Sequence, residues 1–358
     1  MNNHEETGSS NSINIPYSSG EEKSGIFVFR HLGKSEAVLS CLCYGLSSMS
    51  VTLMNKLIFS GEGKQFPISC IIVQNAISTL FLALCSLLGI LSSAKLSVKL
   101  LRRLFFPQLF SSLYLYSNAK AFEFLTIPVV TSLKALVPIC TKLLERFFFG
   151  DVVSTLEYFS MILIFLSSAV TAHFDVSSTK GYFWAGVSIV SNVLWLASLR
   201  FFVGKARYSN ISKAMNGNVL SFLVLTPFAW IQKEPQRISS EWSQLSSLFK
   251  ASFSFSGIAV TIIQISVFWV NATTSGATFS FVGNFIKVPT IIIGTIFFHE
   301  QLPWMAWVGV IMGILSGFLF SLSKYLQVPS TNTLMRTSSS NFNLDIHSPN
   351  SPKIERSS

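Results

Sequence analysis

Charged residues are scarce in this chain of 358 residues: Asp, Glu, Lys and Arg make up 12% of it, and hydrophobic residues make up 50%. Ordinary soluble domains carry about 25% charged residues, so the composition excludes a water-soluble globular domain. The sequence also lacks a phosphate-binding loop, a metalloprotease His-Glu pair, an Asp-rich metal motif and a Gly-x-Ser-x-Gly turn. We therefore expect an integral membrane protein that is not an enzyme, with no catalytic residue, metal ion or cofactor.

Cysteine is also scarce, and its placement excludes a disulfide framework. Cys41 and Cys43 lie two positions apart on a predicted helix, so they point about 200° away from each other. All five cysteines fall in apolar segments, where they are typical buried small hydrophobic residues. They are Cys41, Cys43, Cys70, Cys85 and Cys140.

What the chain does have is long hydrophobic runs, each close to the roughly 20 residues that a helix needs to cross a bilayer. Ten such runs predict ten spans, of which the third and eighth have the least distinct ends. The fold class is then an all-α membrane protein, because backbone groups have no water partners in hydrocarbon. The runs are 37–59, 66–91, 104–122, 125–149, 153–172, 181–203, 213–232, 247–270, 276–298 and 303–324.

An even number of spans puts both chain ends on one side of the membrane. The loops near 92–103 and 204–213 carry seven Lys and Arg residues, which favours the cytosol for that side. Residues 1–36 and 327–358 are polar and rich in Ser and Asn, so we expect two disordered cytosolic tails. The net charge of +10 fits acidic lipid headgroups, and no nucleic-acid-binding fold is indicated.

The fourth and ninth predicted spans share a pattern. The fourth contains Lys134-Ala-Leu-Val-Pro138 and ends in Phe147-Phe-Phe-Gly-Asp151; the ninth contains Lys287-Val-Pro289 and ends in Phe297-Phe-His-Glu300. This spacing predicts two five-helix halves, about 37–172 and 181–324, inverted relative to each other because five is odd. Inverted repeats with interrupted helices are typical of secondary transporters. Chance similarity between Phe-rich helices is the alternative.

The ninth span has the most informative polar residues. Phe279, Gly283 and Lys287 recur every four residues and so form one stripe, with Asn284 beside it. A charge at bilayer depth costs at least about 2.5–3.5 kcal/mol, so such a lysine usually faces a polar cavity or a bound anion. The alternative is that Lys287 reaches an interface and Gly283 only permits close helix packing.

Three further groups are candidates for binding. Lys134 lies deep in the fourth span and suits a phosphate-facing position. Tyr44 begins a polar stripe on the first span that ends at Lys56, although Lys56 could instead mark the membrane edge. On the seventh span, Asn216 and Asn218 form an amide pair that could read a nucleobase edge; the alternative is hydrogen bonding between helices.

At these residues the chain resembles the nucleotide-sugar transporters, specifically the GDP-mannose transporter family in the drug/metabolite transporter superfamily. The first span from Tyr44 to Asn55-Lys56 is similar to that family's opening helix. The segment Asn118-Ala-Lys120, Leu125-Thr-Ile-Pro128, Thr131 and Lys134-Ala-Leu136 is similar to its third-to-fourth helix region. The ninth span matches its Gly-Ala-Leu-Asn-Lys motif in frame.

The resemblance implies ten helices with cytosolic ends, Golgi residence, and exchange of a cytosolic GDP-sugar for luminal GMP by alternating access. Met215-Asn-Gly-Asn218 stands in frame with the family's guanine-reading Phe-Tyr-Asn-Asn motif and retains only its last asparagine. In the second motif Gly283 and Lys287 are retained, whereas Asn284 and Ile286 differ, and Phe279 stands where a tyrosine is frequent.

The partners implied are a nucleotide sugar, a nucleoside monophosphate and the lipid bilayer, with a homodimer possible. Alternatives are a carrier for a UDP-sugar, another GDP-sugar or a triose-phosphate-type metabolite, and a non-transporting membrane scaffold. The implied substrate-binding residues are Tyr44, Asn118, Lys134, Asn216, Asn218, Phe279, Gly283, Asn284 and Lys287.

Overall fold

A computed structural model describes residues 34–89, 91, 95–150, 153–174, 178–203, 208–274 and 276–345. Within those ranges the chain is helical, without strands, which confirms the all-α class. The helices are α1 (Lys34–Ser60), α2 (Pro67–Leu87), α3 (Val98–Phe124), α4 (Ile127–Lys134), α5 (Leu136–Phe149), α6 (Thr155–Phe174), α7 (Thr179–Val203), α8 (Asn210–Ile231), α9 (Glu234–Glu241), α10 (Ser247–Thr273), α11 (Gly276–Phe285), α12 (Lys287–Phe298) and α13 (Trp304–Asp345).

Nine helical segments of the described chain are long and apolar enough to cross a membrane, so the protein is a multi-pass membrane protein. They coincide with nine of the ten predicted spans. The predicted third span falls on α3, which has 27 residues and packs along α7 but carries charged residues at both ends. Ten spans, and the two inverted halves 37–172 and 181–324, therefore stay predictions.

The two predicted tails are only partly covered by the structure. Residues 1–33 and 346–358 lie outside the described residues, so their disorder stays a prediction. The last helix, α13, runs to Asp345 and so continues past 324, where the tenth span was predicted to end.

Two of the membrane segments are broken at the same place relative to a proline. The segment Ile127–Phe148 breaks at Ala135, three residues before Pro138, and the segment Thr278–Phe298 breaks at Ile286, three residues before Pro289. A proline has no N–H to donate to the carbonyl four residues back. The breaks follow from the sequence, and each places a lysine beside it.

Carboxylates tie the loops together where α1, α3 and α12 end; we call this the closed end. Glu300 accepts hydrogen bonds from the N–H of Ile127, which begins α4, at 2.9 and 3.1 Å. Glu234 accepts one from the N–H of Ser69 in the first turn of α2 at 2.7 Å, and Glu62 accepts one from the N–H of Ser246 before α10. Anions stabilise helix N-termini, whose N–H groups lack partners.

Burial changes the pKa of one of these carboxylates, that of Glu234. Glu234 lies in α9, outside the candidate spans, and its side chain is buried. Desolvation raises the pKa of this carboxyl, and the N–H groups of Ser69 and Ile68 oppose that rise. The contact therefore stabilises the α2 N-terminus at the cost of removing the carboxylate from water.

Glycines on α13 allow it to pack closely against two other helices. Gly309 meets Thr171, Gly313 meets Ser167, and Gly317 meets Asn284 on α11. This spacing of four residues is the small-residue pattern typical of membrane helix contacts. It places α13 antiparallel to α6, running away from the closed end.

Replacing Gly309 by alanine is expected to destabilise the protein. The new Cβ would lie 2.6 Å from the backbone nitrogen of Thr171 and 2.9 Å from the carbonyl oxygen of Ser167. Backbone atoms cannot rotate away, so α6 and α13 must separate, at about 1–3 kcal/mol. Thermal unfolding in detergent measures the loss.

The matched control is Gly186→Ala on α7, where a Cβ meets nothing within 4 Å. That change is expected to be neutral or to stabilise by up to about 1 kcal/mol, because alanine is the better helix former. Equal melting temperatures for the two variants contradict the packing argument.

Candidate functional site

The predicted stripe on the ninth span faces the first helix. The ring centroids of Tyr44 and Phe279 are 5.0 Å apart, tilted by 35°. A Cβ at Gly283 would lie 3.5 Å from the Tyr44 hydroxyl oxygen, so that hydroxyl sits directly over the glycine. Tyr44, Phe279 and Gly283 thus come together, with Lys287 one turn further along.

Lys287 is held by a relay to the last helix. Its Nζ donates a hydrogen bond to Oδ1 of Asn284 at 2.8 Å. Asn284 Nδ2 in turn donates to the carbonyl oxygen of Gly317 at 2.7 Å and to Oγ of Ser321 at 2.9 Å. Asn284 therefore positions the lysine in this conformation and fastens α11 to α13.

Lys134 stands beside the other helix break. Its Nζ lies 4.9 Å from the centroid of the Phe122 ring, a cation–π distance. Among the described residues, neither Lys134 nor Lys287 has a carboxylate partner. Two inward amines without counter-charges are costly in a membrane unless an anion visits them.

The two lysines lie at a similar depth. Ile127 at the start of α4 packs on Gly294 of α12, where a Cβ would come within 2.6 Å of its side chain. The two helices are antiparallel, since the start of α4 also meets Glu300 beyond the end of α12. Lys134 and Lys287 are each seven residues from that contact in the same direction, about 10 Å along the helices.

Asn218 belongs to a polar cluster between α2, α8 and α10. Its Nδ2 donates to Oγ of Ser78 at 3.1 Å and to Oε1 of Gln264 at 3.3 Å. Gln264 Nε2 donates back to Asn218 Oδ1 at 3.2 Å. Counted over the described residues, Asn218 keeps one unused acceptor site and Gln264 one unused donor, so the cluster is able to hydrogen-bond a further planar polar group.

Gln108 on α3 extends this cluster, and sequence reasoning missed it. Its Oε1 lies over Gly217, where a Cβ would be 3.2 Å away, and its Nε2 donates a short hydrogen bond to Oγ of Ser221. In the part of the chain that the structure describes, Gln108 Oε1 accepts no hydrogen bond. The glycine between the two asparagines thus leaves room for an amide from a neighbouring helix.

Asn216 and Asn118 have different surroundings. Asn216 is fully buried and binds the segment before α3: its Oδ1 accepts from the N–H of Ser97, and its Nδ2 donates to the carbonyl of Lys95. Its Nδ2 also donates to the carbonyl of Ser212, one turn earlier on α8. In this conformation its hydrogen bonds are used within the protein. Asn118 on α3 is 5% exposed, and its Oδ1 has no hydrogen-bond partner among the described residues.

Lys56, which ends the polar stripe of α1, lies in the interior rather than at an open membrane edge. It is 7% exposed and pairs with Glu300 at 3.3 Å. Its Nζ also donates to the carbonyls of Leu125 at 2.5 Å and Phe122 at 3.3 Å. The signal available in the sequence was a basic residue ending the first span and an acidic residue ending the ninth.

A separate apolar groove of about 470 Å³ lies between α11 and α13. Phe281 lines it, whereas Phe279 and Gly283 on the opposite face of α11 turn toward Tyr44. The groove therefore lies on the other side of α11 from Tyr44, although Ser321, which also lines it, belongs to the relay that holds Lys287. No group of three His, Cys, Asp or Glu residues that could hold a metal ion occurs among the residues with described positions.

Comparison with known proteins places this arrangement in a family. The model of the triose-phosphate transporter family matches residues 35–321, which is most of the chain. The chain belongs to the triose-phosphate transporter family. This membership agrees with the multi-pass helical fold and makes the protein a membrane transporter rather than an enzyme.

Several fungal relatives of this chain are named as GDP-mannose transporters. The GDP-mannose transporter of Neurospora crassa is 26% identical over 334 residues, covering 84% of this chain and 83% of that protein. The GDP-mannose transporter of Chaetomium globosum is 26% identical over 340 residues, covering 89% and 86%. GDP-mannose transporter 2 of Emericella nidulans is 25% identical over 333 residues, covering 85% and 92%.

Proposed function

We propose that the protein is a nucleotide-sugar antiporter that exchanges a cytosolic GDP-sugar, GDP-mannose or a close analogue, for luminal GMP across the Golgi membrane. The observation that carries the proposal is the pair Lys134 and Lys287, two inward amines at similar depth without carboxylate partners. A diphosphate linkage supplies the negative charge that both lack. The names of the fungal relatives supply the choice of a nucleotide sugar.

The remaining contacts divide between the two ends of such a ligand. The amide cluster of Asn218, Gln264 and Gln108 has unused donors and acceptors for a nucleobase edge. Tyr44 and Phe279 offer an aromatic wall, and Gly283 leaves room for the Tyr44 hydroxyl, which offers the ligand a hydrogen-bonding group beside the α11 backbone. Asn284 positions Lys287, and we leave Asn216 outside the contact set because its hydrogen bonds are used by the protein. Asn118 contributes its unpartnered Oδ1.

Transport by this arrangement follows alternating access. The two broken segments, α4–α5 and α11–α12, contact each other through α4 and α12, and their shared break position supports the inverted relation of the halves 37–172 and 181–324. Rocking of one half against the other would expose the lysines to each side in turn. An empty site with two uncompensated cations reorients at a higher cost, which favours exchange over net flux. We further propose that both termini are cytosolic.

A second substrate class is favoured by one specific observation. Gly217 stands where the guanine-reading motif of the resembling family has an asparagine, and Gln108 occupies the space above it. The Gln108 amide approaches from α3 rather than α8, so it presents its donor and acceptor differently from the motif asparagine and favours a base other than guanine, with uracil as the candidate. The alternative substrates are a UDP-sugar, another GDP-sugar or a triose-phosphate-type metabolite. A scaffold without transport is the remaining alternative, and ligand-dependent stabilisation argues against it.

Exchange in liposomes tests the proposal. Purified protein in vesicles preloaded with GMP is expected to take up labelled GDP-mannose, and vesicles preloaded with UMP, CMP or inorganic phosphate are expected to take up much less. Empty vesicles and protein-free vesicles loaded with GMP are the controls. Uptake supported by UMP or phosphate moves the assignment to the alternatives, and absence of uptake and of thermal stabilisation by every nucleotide contradicts it.

A further inference from the structure

We propose that Lys56 and Glu300 form a latch that holds one end of this transporter shut and must break each time the site opens to that end. The inference rests on the alternating-access function proposed above. It concerns a pair of residues about 18–20 Å along the helices from the level of Tyr44 and Lys287. Phe122 connects this pair to the site, because its carbonyl accepts from Lys56 and its ring centroid lies 4.9 Å from Lys134 Nζ.

The latch joins three parts of the chain. Lys56 near the end of α1 pairs with Glu300 after α12, which connects the first half of the chain to the second. The same lysine donates to the carbonyls of Phe122 and Leu125, and the same glutamate accepts from the N–H of Ile127. The pair therefore fastens the α3–α4 junction between the ends of α1 and α12.

Both charged side chains of the latch are buried and hydrogen-bonded, which suits a contact that exists in one conformation and not in another. The Lys56 and Glu300 side chains are 9% and 6% exposed, and both have charge-assisted bonds to backbone groups. A buried ion pair that is fully hydrogen-bonded specifies one arrangement, because either charge alone in that environment is unfavourable. Lys120–Glu123 at the same end is a pair within one helix, about 20% exposed, and connects no two elements.

Packing around the two broken segments is asymmetric in the same sense. At the closed end, α4 has five buried residues out of eight: Ile127, Pro128, Val129, Val130 and Ser132. Beyond the break at the opposite end, every described residue of α11 from Thr278 to Phe285 is at least partly exposed, and the described part of α5 buries only Val137 and Ile139. In this conformation the broken segments are therefore more buried at the latch than at the opposite end.

Two other carboxylate contacts stabilise the closed end without joining α1 to α12. Glu62 binds the start of α10, and Glu234 binds the start of α2. Both contacts can persist while α1 separates from α12. The Lys56–Glu300 pair cannot, so it is the element whose breakage defines the alternative state.

Thiol accessibility one turn inside the latch tests this inference without any substrate. Thr52 lies on the face of α1 that carries Lys56, and within the described ranges its hydroxyl bonds only to the carbonyl of Ser48 on its own helix. With Thr52→Cys as the reporter, a membrane-impermeant maleimide is added from the closed-end side of sealed vesicles. Labelling at residue 52 is read by peptide mass spectrometry, which separates it from the native cysteines. Protease access to the chain termini reports vesicle orientation.

The neutral pair Lys56→Gln/Glu300→Gln removes the ionic attraction and leaves no unpaired buried charge. We expect labelling at residue 52 to become about tenfold faster, as a shift in a two-state equilibrium predicts. Lys56→Arg, which keeps the charge, is expected to label like the unaltered protein. The matched control Lys120→Gln/Glu123→Gln makes the same chemical change at the same end and should leave the rate unchanged.

The outcomes separate the latch from a general structural role. Unchanged labelling in the neutral pair, or an equal increase in the Lys120 control, overturns the proposal. If the neutral pair does not fold, the reporter in the otherwise unaltered protein decides: GMP-loaded vesicles given GDP-mannose must label faster during exchange than at rest. Absence of exchange with a positive labelling result leaves the latch standing and rejects only the proposed substrate.

Discussion

Replacing Lys287 by methionine is expected to abolish exchange while stabilising the ligand-free protein. The amine has no carboxylate partner among the described residues and contacts only Asn284 Oδ1 at 2.8 Å. Removing an uncompensated charge from the interior relieves a desolvation cost that exceeds the roughly 1 kcal/mol of one hydrogen bond. Loss of function and gain of stability then come from the same change.

The expected size of the transport defect follows from the chemistry of the contact. Truncating one partner of a buried charge pair costs about 2–5 kcal/mol, which is roughly 30-fold to several thousand-fold in affinity. We would measure GDP-mannose uptake into GMP-loaded liposomes, together with thermal unfolding in detergent, with and without nucleotide. Lys287→Arg keeps the charge and should retain part of the activity.

Lys180→Met is the matched control, because Lys180 is an exposed lysine at the start of α7. It should change neither exchange nor the melting temperature. Normal uptake by Lys287→Met refutes the phosphate-facing assignment. A melting temperature well below that of the unaltered protein would instead give Lys287 a structural role, with its hydrogen bond to Asn284 as the reason.

The parts of the site that lie within one helix could be predicted from the sequence. The stripe of Phe279, Gly283 and Lys287 depends only on helical periodicity, and the structure places it against Tyr44 as one surface. The helix breaks depend only on the position of Pro138 and Pro289. Local rules of this kind need no knowledge of which helices are neighbours.

Contacts between distant helices could not be predicted in this way. Asn216 and Asn218 have the same side chain two positions apart, yet one binds the segment before α3 and the other joins α2 to α10. Their difference arises because residues two apart on a helix face different neighbours. Gln108 was missed for the same reason, since its place over Gly217 depends on how α3 packs against α8.

The span count shows where hydrophobicity stops being informative. The helix α3 is as long as α1 and α10, with 27 residues, but it has a lower mean hydropathy than the nine candidate spans. The helix α3 packs along α7 and α8, and polar residues such as Gln108, which faces α8, and Asn118 are buried along it. A helix that packs a polar side against neighbouring helices does not need an apolar surface all round, so the sequence signal weakens.

Lys56→Met is expected to destabilise the protein strongly, in contrast to Lys287→Met. It removes the ammonium group that lies 3.3 Å from the Glu300 carboxylate, whose side chain is 6% exposed. Breaking a buried pair by removing one partner costs about 3–5 kcal/mol. The double variant Lys56→Met/Glu300→Gln is expected to recover most of that loss, because no net charge then remains buried and the glutamine oxygen still accepts from the N–H of Ile127.

Thermal and denaturant unfolding of the two single variants and the double variant complete the cycle. We expect a coupling free energy of about 2–3 kcal/mol, the upper range for residues in direct contact. The same cycle at Lys120 and Glu123 should give at most about 1 kcal/mol, because that pair is partly exposed to solvent. We expect Lys56→Met to lower the free energy of unfolding and Lys287→Met to raise it, because Lys56 stabilises the fold whereas Lys287 is placed to bind an anion. Changes of the same sign in the two variants contradict this division.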